Sequence, residues 1–93
     1  MNLINSSAIS SRDGIVQACS LQILSLLVRH LMTVKRTVDP IPLLKIDVTK
    51  IMDLFERQIT QEQLVSITAC GLLSDIVSLE VGGNAAVVQA RFN

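Results

Sequence analysis

The sequence predicts an all-α protein with three long helices and a short terminal helix. Apolar residues recur at spacings of three and four along most of the chain, which is the period of one helix face. Hydrophobic residues make up 49% of the 93 residues, yet Trp and Tyr are absent and Phe occurs only twice. Leu, Ile, Val and Ala must therefore supply the core, and these side chains suit helices that pack closely together.

The first ten residues differ from the rest of the chain. They are rich in Asn and Ser, and Leu3, Ile4 and Ile9 follow no clear period. We predict that residues 1–10 form a flexible or loosely docked lead-in. Residues 11–93 then form a single helical domain, which we expect to be part of a longer protein because the final sequence ARFN carries no helix-stop signal.

The first long helix is predicted to follow a cap at Ser11 or Asp13 and to end near Thr33. Its apolar residues form two stripes, so we expect neighbours on several sides. Sixteen residues separate Arg12 from Arg29 and would cover roughly 24 Å as a helix, less than the about 30 Å of a hydrocarbon core. A membrane span is therefore not expected. One stripe carries Ile15, Val16, Cys19, Ile23, Leu26 and Leu27, and the other carries Ala18, Leu21, Leu24, Val28, Leu31 and Met32.

A proline-containing segment separates the first helix from the second. Pro40 and Pro42 lie in TVKRTVDPIP, which predicts an interhelical loop because proline lacks a backbone donor and biases the preceding residue away from helix. Asp47 is then expected to cap a second helix that ends near Gln58. The apolar face of this helix carries Val48, Ile51, Met52, Phe55 and Ile59.

A third long helix is predicted to start at a capping box formed by Thr60 and Gln63 and to end near Leu79. Its apolar residues again surround much of the helix. The glycines at 82–83 end it, since glycine adopts the left-handed conformation that is common past a helix C-terminus. The short terminal helix is predicted to run from its cap at Asn84 to about Arg91.

The charge pattern argues against a polyanionic partner. Eight basic and eight acidic side chains cancel, and the longest block of like charge is the pair Lys35 and Arg36. Nucleic-acid binding normally requires clustered Lys and Arg, often with aromatic side chains that stack on bases, so no nucleic-acid partner is expected.

The N-terminal sequence and the cysteines indicate the compartment. The chain begins without the basic and apolar regions of a secretory signal, so we predict an intracellular, cytoplasmic location. Cys19 and Cys70 are too few for a disulfide framework and fit two buried thiols in a reducing environment. A disulfide between them is the less favoured alternative.

Residue types that carry out catalysis are not grouped in the sequence. His30 is the single histidine, which excludes histidine-centred metal clusters and histidine pairs. Cys19 lies three turns from His30 on the same predicted helix, so the two cannot form a nucleophile and base pair within that helix. The carboxylates occur singly on polar faces. We therefore expect a protein that is not an enzyme, with no catalytic, cofactor-binding or metal-binding residues and no cofactor.

Two segments point to a helical repeat. The string ACSL at residues 18–21 returns as ACGL at residues 69–72. The segment ITACGLLSDIVSLEVGGNAAVVQA resembles the end of an armadillo repeat, in which a long third helix ends in Leu-Ser-Asn-Leu before a Gly-Asn turn. Here LSDI at residues 73–76 and Gly83-Asn84 take those places. The resemblance covers about residues 64–90 and implies an armadillo-like or HEAT-like α-solenoid fragment, with a compact helical bundle as the alternative.

The resemblance implies a scaffold that binds a partner protein, peptide or helix through a helical surface. Armadillo repeats that clamp extended peptides carry a Trp and an Asn where this chain has Gly71 and Asp75, so a peptide ladder is not expected. The alternatives are a self-associating bundle that forms a homodimer and, third, a membrane-active or enzyme-accessory helical protein. The partner-binding candidates are Arg29, His30, Lys35, Arg36, Glu56, Arg57, Asp75 and Glu80, and an exposed apolar edge is expected at Val87, Val88 and Phe92.

Overall fold

A computed structural model describes the chain over residues 2–34, 39–58, 62–79 and 83–92. Six helices and no strands are found in these ranges, which confirms the predicted all-α fold class. The helices are α1 (Asn2–Ser10), α2 (Gly14–Val34), α3 (Pro40–Leu43), α4 (Val48–Gln58), α5 (Gln63–Val77) and α6 (Asn84–Phe92).

Aspartates cap two of the predicted helices. Asp13 Oδ1 accepts a hydrogen bond from the Ile15 amide at 2.9 Å, at the start of α2. Asp47 Oδ1 accepts one from the Lys50 amide at 3.2 Å, at the start of α4. Each carboxylate satisfies an amide that has no partner within its helix. The predicted starts of both helices are confirmed.

Residues 2–10 lie in the segment for which the sequence predicted a flexible or loosely docked lead-in. They form α1, in which Ala8 is fully buried. The Asn5 side-chain amide donates to the carbonyl oxygens of Leu44 at 2.9 Å and Lys45 at 3.2 Å. Gln17 Nε2 donates to the Ile9 carbonyl at 3.1 Å. Hydrogen bonds to distant parts of the chain hold α1, and no local sequence pattern reveals them.

The prediction of a loop also fails over residues 40–43, which form the single turn α3. Asp39 Oδ1 accepts a hydrogen bond from the Ile41 amide at 3.0 Å, and Pro40 occupies the first helical position. Proline is tolerated there because the first amides of a helix have no internal partner. Residues 35–38, which belong to the same predicted loop, lie outside the described ranges.

The last two helices agree with the sequence in extent but differ in their caps. Glu62 occupies the N-cap of α5 without a side-chain cap hydrogen bond, and Thr60 of the predicted capping box lies outside the described residues. Gly83 has a φ of 72°, a value that glycine adopts without strain. Asn84 begins α6 as its first residue, whereas the sequence predicted it as the cap.

The closest pair of helices, α2 and α5, runs parallel. At their N-terminal ends Gly14 lies against Glu62, so closely that a Cβ at position 14 would stand 3.0 Å from Glu62 Cδ. Near their C-terminal ends Arg29 bonds Asp75. Helices α1 and α4 cover the same side of this pair and touch each other, and α6 packs along α5. The result is a slab of two layers that measures 36 × 29 × 16 Å between Cα atoms.

The core lies between the two layers. Buried apolar side chains of α2 and α5 meet those of α4, and burying each large aliphatic side chain contributes about 1.5–3 kcal/mol. The largest fully buried side chains are Leu21, Leu24 and Val28 of α2, Ile51 and Leu54 of α4, Val65, Leu72 and Ile76 of α5, and Pro40.

Helix α2 also meets a simple criterion for a membrane helix. It has 21 residues, and its most apolar window has a mean hydropathy of 1.5 with 39% of the window buried inside the protein. By length and composition alone it could cross a membrane, but the central helix of a soluble core meets the same criterion. The expectation that α2 does not span a membrane stays a prediction.

Leu72→Ala tests the central position of α5. We expect it to lower the free energy of unfolding by about 2–5 kcal/mol, because the side chain is fully buried and its loss leaves a cavity. Leu64→Ala on the same helix removes the same atoms from an exposed side chain and should cost less than about 1 kcal/mol. Urea unfolding monitored by circular dichroism measures both, and equal losses would contradict the described packing.

Asn5→Ala tests whether α1 is docked. The variant loses the hydrogen bonds to the carbonyls of Leu44 and Lys45, so we expect a loss of about 0.5–1.5 kcal/mol in unfolding free energy. Amide hydrogen exchange in α1 should accelerate as well. The exposed neighbour Ser6 provides the control variant Ser6→Ala, and the same exchange rates in both variants would argue against anchoring by Asn5.

Candidate interaction face

Helix α2 exposes a mainly apolar stripe, which also includes Gln22, along the side that no other described helix covers. Ile15 is 67% exposed and Leu26 is 53% exposed, and Ile23 is exposed between them. Cys19 is exposed on the same stripe. Spacings of four, four and three residues place these four side chains on one face of a helix.

Helix α5 continues this apolar surface. Leu64 and Ile67 are exposed, Ile67 to 59%. The buried residues of α5 turn toward α2, α4 and α6, and α1 and α4 cover one side of the α2 and α5 pair. The exposed stripes of both helices therefore lie together on the opposite side. We call this surface the α2/α5 face, formed by Ile15, Cys19, Ile23, Leu26, Leu64 and Ile67.

One position of this face has no side chain. Gly71 is half-buried on the uncovered side of α5, and a Cβ built at this position would have no other atom within 4 Å. Absence of a side chain at position 71 lets the backbone of a bound molecule approach α5 closely. Gln22 of α2 and Cys70 of α5 are exposed on the same side, so the face is mainly rather than entirely apolar.

A polar cluster joins the C-terminal halves of α2 and α5. The Asp75 side chain is 13% exposed, and Arg29 Nε donates to its Oδ1 at 2.9 Å. The buried Ser25 hydroxyl donates to Asp75 Oδ2. Both carboxylate oxygens therefore have partners within the chain, so Asp75 serves α2–α5 packing and its predicted availability to a partner is not supported by this geometry.

The other charged candidates are not brought together. His30 is exposed on α2, while Glu56 and Arg57 are exposed on α4 in the other layer. Lys35, Arg36 and Glu80 lie outside the described residues. The set of candidates predicted from the sequence therefore does not form one surface.

Glu56 belongs to a contact between α4 and α6. Arg91 donates to Glu56 Oε1 from Nε at 3.0 Å and to Glu56 Oε2 and Asp53 Oδ1 from Nη2 at 2.6 Å. These bonds, with Glu56 first and Asp53 second, raise the pKa of Arg91 above its ordinary value. The rings of Phe55 and Phe92 lie beside this cluster with centroids 5.6 Å apart.

The predicted apolar edge on α6 is wrong for Val88, which is buried against the core. Val87 and Phe92 are exposed as predicted, and Phe92 also contacts Phe55. Val87 and Val88 are adjacent on a helix and cannot share one face. Helix α6 thus turns Val88 inward.

The prediction of two buried thiols is also wrong. Cys19 and Cys70 are both exposed and not joined in a disulfide. Each lies in a helix with apolar residues on several sides, and periodicity alone does not tell which apolar side other helices cover. The same difficulty hid Ile15, Ile23 and Leu26, which the sequence placed in a core stripe. The sequence signal that could have revealed these exposed residues is the width of the apolar surface of α2, which is greater than one neighbouring helix can cover.

The opposite side of the slab carries a groove of about 280 Å³ between α1 and α4. Leu24 and Ile51 supply apolar lining, and Asn5, Asp47 and Lys50 supply polar lining. Asn5 and Asp47 are already engaged in the hydrogen bonds that hold α1 and cap α4. Within the described residues, no group of three or more His, Cys, Asp or Glu side chains could hold a metal ion.

In comparisons with known proteins, no family model, no curated protein and no solved structure matches the chain. The resemblance to armadillo repeats therefore stays a prediction. The two similar strings nevertheless share burial at three of their four positions, while Ser20 is buried and Gly71 is half-buried. Ala18 and Ala69 are buried, the following cysteines are exposed, and Leu21 and Leu72 are buried.

Substitutions in the polar cluster distinguish how much each of its two hydrogen bonds contributes to the free energy of unfolding. Asp75→Ala should lower the unfolding free energy by about 1–3 kcal/mol, because the buried Ser25 hydroxyl loses its acceptor. Arg29→Ala should cost less than about 1 kcal/mol, since the Arg29 side chain is 58% exposed and solvent screens such pairs. Thermal and urea unfolding measure both variants. A greater loss for Arg29→Ala than for Asp75→Ala would contradict this assignment.

Proposed function

We propose that the protein is a non-enzymatic interaction scaffold that binds another protein chain through the α2/α5 face. The supporting observation is that exposed apolar side chains of two neighbouring helices lie on the same side of the α2 and α5 pair, with the exposed Gln22 among them. Scattered exposed apolar residues are normal on soluble proteins, whereas contiguous apolar patches commonly mark sites of interaction. Covering Ile15, Leu26 and Ile67 would remove the most exposed of these side chains from water.

An armadillo-like or HEAT-like architecture is part of this proposal. Its support is the parallel packing of α2 and α5 with α1 and α4 on one common side, because stacked helical hairpins produce two such layers. The matching burial of Ala18 with Ala69 and of Leu21 with Leu72, and the matching exposure of the two cysteines, add to it. In this interpretation α2 and α5 are the corresponding helices of successive units, and the α2/α5 face belongs to the repeated layer.

We also propose an intracellular, cytoplasmic location. Cys19 and Cys70 are exposed as free thiols, and reducing compartments keep exposed thiols from forming disulfides. A self-associating module is the second candidate function, favoured by the formal net charge of 0, which leaves no long-range repulsion between copies.

Site-specific cross-linking tests the proposed function. A benzophenone maleimide attached to Cys19 in a Cys70→Ser background places the photoreactive group on the α2/α5 face. The control carries the same group at Leu43→Cys with both native cysteines changed to Ser, because Leu43 is exposed outside this face. We expect light-dependent adducts with a defined protein chain, identified by mass spectrometry, from Cys19 and not from position 43.

A second variant pair checks that the adducts depend on the apolar surface. Leu26 and Leu43 are 53% and 54% exposed, so Leu26→Glu and Leu43→Glu introduce the same charge at equally exposed positions. Leu26→Glu should abolish the Cys19 adducts and Leu43→Glu should keep them, with circular dichroism confirming that both variants fold. Equal adduct patterns from both attachment sites would overturn the proposal.

A further inference from the structure

We infer that α6 is a strap that opens and closes over α4 and α5 while the other helices stay folded, and that the ion pairs of Arg91 hold it closed. Helix α6 packs along α5 and also touches α4. Its site on α5 lies on a different side from the exposed Leu64 and Ile67. The strap therefore goes beyond the proposed function, which concerns the α2/α5 face alone.

Helix α6 has little buried surface. Val88 is the single buried residue among its nine, whereas six of the 15 residues of α5 are buried. Local opening requires the least free energy where few apolar side chains are buried. Helices shorter than about 12–15 residues are also marginal in isolation. We therefore expect α6 to lose its helical structure when it leaves α4 and α5, and to form again when it returns.

Side-chain hydrogen bonds hold α6 near both of its ends. At the first residue of the helix, Asn84 Nδ2 donates to Asp39 Oδ2 at 3.4 Å. In the last turn, Arg91 donates to both carboxylate oxygens of Glu56 and to Asp53 Oδ1. The groups that accept these bonds lie on other parts of the fold, so α6 is fixed at two separated points. Releasing either point frees one end of the helix.

The ionic contact at the second point is open to solvent. The side chains of Asp53 and Glu56 are 55% and 49% exposed, and that of Arg91 is 30% exposed. Ion pairs with this exposure are weakened by dissolved salt. Without Arg91, two carboxylates three positions apart on α4 would repel each other. Closure of the strap therefore depends on Arg91 and on ionic strength.

Opening of the strap uncovers apolar surface on α4 and α5. Val88 leaves the core, and Phe92 leaves the half-buried Phe55, whose ring centroid lies 5.6 Å from its own in the closed state. Gly83 precedes α6 with a φ of 72°, and glycine changes its backbone conformation at little steric cost. The strap thus controls access to an apolar site that is separate from the α2/α5 face.

Thiol labelling of the full chain tests whether α6 opens by itself. Val88→Cys and Val28→Cys remove the same buried side chain from α6 and from the middle of α2, each in a background that carries Cys19→Ser and Cys70→Ser. N-ethylmaleimide should modify the Val88→Cys variant at least about 10-fold faster than the Val28→Cys variant, because the second thiol requires a larger part of the fold to open. Circular dichroism checks that both variants are folded.

Ionic strength and Arg91 then test how the strap is held. Raising NaCl from about 0.05 M to about 0.5 M should raise the labelling rate of Val88→Cys about threefold and leave that of Val28→Cys nearly unchanged. Adding Arg91→Ala to Val88→Cys should raise the rate at low salt and remove its dependence on salt. Gln89→Ala is the control, since Gln89 is exposed on the same helix, and it should change neither.

Amide hydrogen exchange of the natural sequence gives the same comparison without a substitution. The hydrogen-bonded amides of α6 should exchange as one group, faster than those of α5, and faster again at high salt. Equal labelling rates of Val88→Cys and Val28→Cys, or exchange of α6 only together with α5, would overturn independent opening. A fast Val88→Cys rate that neither salt nor Arg91→Ala changes would overturn the role of Arg91.

Discussion

The parallel packing of α2 against α5 is the constraint on which the remaining structure depends. Gly14 and Glu62 set the approach of the two helices at one end, and Arg29, Ser25 and Asp75 join them at the other. All other long helices take their positions from this pair. Helix α1 packs on α2, α4 packs on α5, and α6 packs along the free edge of α5.

A slab of two layers has a direct consequence for exposure. Helices α2 and α5 lie beside each other in one layer, and the second layer covers one side of them. Within the described residues, no helix covers their other side. A chain of 93 residues also has a high ratio of surface to volume. Exposed large hydrophobic side chains occur on several of the described helices. Ile15, Ile23, Leu26, Leu64 and Ile67 lie on the α2/α5 face, whereas Leu3, Leu43, Val87 and Phe92 lie outside it.

Local sequence features predicted the long helices because caps and periodicity act within a few residues. Asp13 and Asp47 are examples, since each bonds an amide two or three positions away. Helix α1 was missed because its anchors join residues about 40 positions apart, such as Asn5 and Leu44. The α2/α5 face could not be predicted from the sequence for a related reason. Both sides of α2 are apolar, and only the positions of α1, α4 and α5 decide which side is covered.

Gly71 also has a cost for the helix that contains it. Glycine in a helix interior is about 0.8–1.0 kcal/mol less favourable than alanine, and a Cβ at position 71 would meet no atom within 4 Å. Alanine would therefore fit without displacing any neighbour and would strengthen α5. A sequence optimised for folding alone would carry alanine at position 71, whereas this chain has glycine there and a weaker helix.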